Sequence, residues 1–130
     1  MATDPDAAAV YRAEAILERE LPTRKLSLAE AQDLVDHISH AKDIDPPTVV
    51  HLPISRKYDA LAVPGEQVIV VRTSRPTQLT IVHEVVHFLT DSGHGSRFRR
   101  TYLELVRQHL SLDHYSMMQS GLQDQPAKFN

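Results

Sequence analysis

Residues 76–90 form a largely apolar run whose only ionisable side chains are two histidines and a glutamate, His83, Glu84 and His87. Leu79, Ile81, Val82, Val85, Val86, Phe88 and Leu89 are spread around nearly every side of a helix built on this segment, and a helix apolar all round is a buried one. Ionisable groups in such a helix are costly unless something satisfies them. Residues four apart lie on one helix face, so the imidazoles of His83 and His87 can reach a common ion from the same side. Glu84 sits on the flank of that face, where its carboxylate can take a proton from an activated water without ligating the ion. A single zinc ion satisfies all three groups at once, whereas a metal-free core would need a separate partner for each. Pro76 in the first turn, Ser74 or Thr73 as cap and Ser92–Gly93 as stop predict a helix from Pro76 to about Thr90.

A catalytic zinc takes three protein ligands and leaves one position open. His94 is the expected third ligand, because Gly93 tolerates left-handed dihedrals and lets the chain fold back, and Gly95 leaves room beside the ion. Asp91 competes, but its short side chain lies a further turn beyond His87. It is better placed accepting a hydrogen bond from the outer nitrogen of His87. His109 and His114 are weaker candidates, since each reads more simply as a surface or cap histidine. The expected set is therefore His83, His87 and His94 on the metal, with Glu84 as general acid and base.

His83-Glu84-x-x-His87, a short loop, and then His94-Gly95-Ser96-Arg97-Phe98 resemble the SprT-like zincin peptidases and the small predicted metallohydrolases of actinobacteria and their phages. The resemblance covers mainly residues 67–110, including the strand before the active-site helix and a helix from Arg99 to Leu110. It implies zinc on the three histidines, Glu84 as the catalytic acid/base, and Phe98 as a packing residue. The chain has no cysteine, so the Cys-rich zinc ribbon of larger relatives has no counterpart here.

Zero cysteine also excludes disulfides and thiolate metal sites, as suits a reducing compartment. No run approaches the roughly 18 apolar residues of a membrane span, and the acidic N-terminus lacks a signal-peptide core. A soluble cytoplasmic protein is expected, with a single domain over 1–118 and a short tail over 119–130. The net charge is −3, yet residues 72–107 hold six arginines against three acids. This basic half could steer acidic substrates or nucleic acid, but the simpler reading is a solvated helix face, Arg97-Arg100-Glu104-Arg107, held by local pairs. Tight sequence-specific DNA binding is not expected.

Elsewhere, Thr3-Asp4-Pro5 opens an amphipathic helix to about Leu21, with Val10, Ala13, Ile16, Leu17 and Leu21 as its stripe. Ser27-Leu28-Ala29-Glu30 is a capping box leading a second helix to about Lys42. Runs 48–54, 59–63 and 67–72 have strand composition, with Pro64-Gly65 as a turn. The expected fold is α+β and zincin-like, a small twisted sheet of about three strands packed on the central helix that carries the two histidines and the glutamate. Residues 67–73 are expected to form a sheet edge that holds an extended substrate. The function anticipated is zinc-dependent hydrolysis of a peptide or protein substrate. A small-molecule zinc amidohydrolase and a DNA-associated regulator or protease on the same scaffold are the alternatives.

Overall fold

The computed structural model describes residues 6–90 and 93–123. Among them the fold is α+β, with helices α1 (Ala7–Glu20), α2 (Leu28–Ala41), α3 (Gln78–Leu89), α4 (Ser96–His109) and α5 (Leu112–Gln123), and strands β1 (Thr48–His51), β2 (Ala60–Val63) and β3 (Val68–Val71). No helix among the described residues is long and apolar enough to cross a membrane. The chain divides into two compact units, one made of Arg24–Phe88 and the other of the chain on either side of it.

In the first unit, the capping box forms as expected. The Ser27 hydroxyl accepts from the Glu30 N–H at 3.1 Å, and the Glu30 carboxylate accepts from the Ser27 N–H at 2.8 Å. Ala31, Val35 and Ile38 then form the buried face of α2. The Ser27 N–H, with further help from the Arg24 guanidinium, lowers the Glu30 carboxyl to about 2. Because this value lies below the ordinary one, the contribution of Glu30 is present above about pH 4.5 and fades as pH falls toward about 2. The stability gap between wild type and Glu30→Ala, followed by urea titration across that range, should close in the acid direction. Ser27→Ala at neutral pH should cost about 1 kcal/mol.

The three strands are shorter than their sequence runs, and the reasons are local. Pro53 has no N–H to continue β1, and Gln67 takes a left-handed conformation at φ 55° that delays β3 to Val68. The Pro64-Gly65 turn is a short 3-10 helix, Pro64–Glu66. The strand order is β1-β3-β2, with β1 parallel and β2 antiparallel to β3. This corrects the expected role of residues 67–73, because β3 is paired on both sides and cannot accept an extended substrate at an edge. β1 and β2 are the edges. On β1, Gln32 of α2 accepts from the Val49 N–H at 2.8 Å and donates to the Pro47 carbonyl at 3.0 Å, so part of that edge is already capped.

Helix α3 begins at Gln78, and its cap is Thr77 in place of the expected Ser74 or Thr73. The Thr77 hydroxyl accepts from the Thr80 N–H at 3.2 Å. Pro76 stays outside the helix because its carbonyl accepts from the Leu26 N–H at 2.7 Å. The Gln78 N–H donates to the Arg24 carbonyl at 2.9 Å, and the Arg24 N–H returns a bond to the Gln78 side chain at 3.0 Å. Together with the Lys25–Thr77 bridge, these bonds clasp the start of α3 onto residues 24–26. Every residue from Ile81 to Val86 is buried, His83 and Glu84 included.

In the second unit, α1 buries Val10, Ala13 and Leu17. Ile16 is exposed instead of joining this stripe, since it lies about 100° around the helix from Leu17. The expected opening at Thr3-Asp4-Pro5 lies outside the described residues. Helix α4 starts at Ser96, three residues before the expected Arg99, and buries Phe98, Tyr102, Leu105 and Val106. Helix α5, not anticipated as an element, buries Met118 and Leu122, so residues 119–123 of the expected tail are its last turns. The remainder of that tail lies outside the described residues. Gly121 lets α5 approach α1 closely, because a Cβ there would stand 3.1 Å from the Ala13 Cβ.

Candidate metal centre

Helical spacing places His83 and His87 as neighbours on α3, their ring centroids 5.2 Å apart. His83 is 3% exposed and Glu84 7%, so both carry polar atoms in a region from which bulk water is largely excluded. The Glu84 Oε2 stands 3.9 Å from the His83 Nε2, beside the histidine but beyond direct hydrogen-bond distance.

His94 precedes α4 directly, with Gly95 at the N-cap. Gly93 has φ 105°, the left-handed conformation anticipated for the return of the chain. His94 is itself buried, and its ring meets Phe98 at 4.7 Å and Tyr11 at 5.5 Å between centroids. The Arg99 Nε donates to the His94 carbonyl at 3.3 Å, which ties the main chain at His94 to the first turns of α4. Tyr11 was not anticipated near this histidine. It lies one position beyond Val10 on the exposed side of the α1 stripe, and sequence periodicity marks such a residue only as surface.

His83, His87 and His94 each offer a ring nitrogen, and these atoms all lie within 4.8 Å of one another. Tetrahedral zinc holds imidazole nitrogens at about 2.0–2.1 Å, so ligands on one ion stand only a few ångströms apart, and the donor set fits a zinc site. Three imidazole donors leave one position of a tetrahedral ion without a protein ligand from this set. Asp91 and Ser92, expected as outer partner and helix stop, lie outside the described residues.

The weaker histidine candidates are not brought to this cluster. Both ring nitrogens of His114 are engaged elsewhere, Nδ1 with the Ser111 hydroxyl at 2.6 Å and Nε2 with the Leu21 carbonyl at 3.0 Å. His109 belongs to the last turn of α4. Tyr102, a conceivable hydrogen-bond donor to a reacting oxygen, is buried and donates to Glu14 at 2.6 Å. Tyr115 stacks under the Arg107 guanidinium at 5.6 Å.

The basic half also resolves into separate roles. Arg72 pairs with Asp59 at 3.1 Å and donates to the Tyr58 carbonyl at 2.9 Å. Arg99 is buried, with Nη1 donating to the Leu122 carbonyl at 3.3 Å and Nη2 lying 3.8 Å from Asp6. Counting charge along the chain misses this, since an arginine that closes a core carries the same sign as one that meets a ligand. No family model, curated protein or solved structure matches the chain.

Proposed function

We propose that the protein is a zincin-like metallopeptidase that hydrolyses peptide bonds. The observation that carries this reading is the cluster of three imidazole nitrogens, from His83, His87 and His94, together with the buried Glu84 carboxylate that shares α3 with the first two. His83, His87 and His94 would hold the ion. Zinc, when bound there, supplies a Lewis acid that makes water more acidic and polarises a scissile carbonyl.

The remaining chemistry belongs to the chain. Glu84 takes the proton of the attacking water on a carboxylate oxygen and returns it to the leaving nitrogen as the amide bond breaks. Its burial keeps competing bulk water away from that oxygen. Phe98 and Tyr11 flank the His94 ring and restrict its orientation. Arg99 is a positioning residue, holding the His94 carbonyl against the start of α4.

Metal analysis of the purified protein tests the site directly, with about one zinc per chain expected. His94→Ala should weaken zinc binding by more than the roughly 10–100-fold typical of losing an outer-shell partner, and Asp91→Ala by no more than that. The reverse ranking would assign the third ligand to Asp91. Cleavage of an unbiased peptide library by the zinc-loaded protein tests the activity.

A further inference from the structure

We propose that the open groove between α4 and α5 docks an acidic, amphipathic polypeptide segment, and that such a segment marks the substrate of the metal centre. The proposal rests on the metallopeptidase reading for the word substrate, but the docking itself can be measured without turnover. The groove has a volume of about 980 Å³ and begins at Ser96, two residues beyond His94. This is at the upper end of the range for small-molecule sites and, being open, suits a length of chain.

Its lining combines two chemistries. Leu103 and Leu122 supply apolar lining, with Tyr115 beside them. Arg100 and Arg107 are exposed along its α4 side with Glu104 between them, which leaves an excess of positive charge. Arg99 also borders the groove, but its guanidinium is engaged with backbone carbonyls and Asp6. Arg107 lies over the Tyr115 ring at 5.6 Å, an arrangement that holds the cation in place before a ligand arrives and reduces the ordering cost of binding. Carboxylates on a partner can pair with Arg100 and Arg107 while its apolar side chains cover the leucines.

Nucleic acid suits this lining less well. A phosphate track needs several cations in series, and here an acid separates the two that are exposed. Base stacking needs an open aromatic face, and Arg107 already lies over Tyr115.

The test uses the full-length Glu84→Gln variant, in which binding is separated from cleavage. A short labelled peptide rich in Glu and Leu, and its counterpart with Lys for Glu, are titrated by fluorescence anisotropy at several salt concentrations. The acidic peptide should bind, more weakly as salt rises. Arg100→Gln combined with Arg107→Gln should reduce its affinity by roughly tenfold or more while circular dichroism and thermal melting remain those of the parent. Equal binding of the basic peptide, or no effect of the double substitution, overturns the proposal. So does displacement of the peptide by a single-stranded oligonucleotide, or sedimentation showing a dimer that the same double substitution dissolves. If the acidic peptide docks as expected but zinc-loaded wild type cleaves no peptide, the docking surface stands and the metallopeptidase reading fails.

Discussion

Glu84→Gln should keep the fold and the bound zinc yet lower peptide hydrolysis by roughly two to four orders of magnitude. Glutamine preserves the size and hydrogen-bonding reach of the side chain but cannot accept and return a proton at that position. The carboxylate lies beside His83 without being one of the three clustered donors, so its removal should leave metal affinity nearly unchanged. Zinc content, thermal melting and kcat measured on one preparation separate these effects. Turnover undiminished in the glutamine variant would remove Glu84 from the reaction.

Phe98→Ala should be the most destabilising single change near the site, costing about 3–5 kcal/mol in urea unfolding. The ring is 2% exposed, lies 4.7 Å from the His94 ring and continues to Tyr102 at 5.4 Å. Its loss leaves a cavity and also frees the third candidate ligand to reorient. Phe98→Leu retains more of the packing and should remain folded, so a fall in its zinc affinity at native stability would isolate the orienting role. Unchanged affinity in a folded Phe98→Leu protein would show that packing alone explains the residue.

What the sequence made readable was mostly local. His83, Glu84 and His87 fall on a strongly apolar segment with a proline before it and a glycine after it, so their helix was evident, as was the reciprocal cap of Ser27 and Glu30. The left-handed Gly93 was likewise anticipated, because few residues other than glycine adopt that conformation. Features that depend on distant pairing were harder to see. The runs at 48–54, 59–63 and 67–72 showed that strands exist but not their order, and β3 proved central instead of an edge. Helix α5 escaped notice because its buried residues are few, and Gly121 weakens its local helical signal while serving a close contact with α1. The positions of Tyr11 and Arg99 follow from tertiary packing around His94, on which neither periodicity nor charge counting bears.

The clasp between residues 24–26 and 76–78 has a bearing on how the metal centre is assembled in time. Arg24 and Gln78 are 54 positions apart, so a refolding chain must close a long loop, carrying α2 and the whole sheet, before the start of α3 is fixed. Closure entropy grows only logarithmically with loop length, but contacts this distant slow the search for the native arrangement. Until the loop closes, the two histidines of α3 lie on a segment whose first turn lacks its anchoring bonds. The amides of Leu26 and Gln78, which donate to the Pro76 and Arg24 carbonyls, should therefore exchange together in one opening event. Metal bound at the candidate site would stabilise that closed state by mass action, so hydrogen-exchange protection at the start of α3 is expected to rise with zinc occupancy.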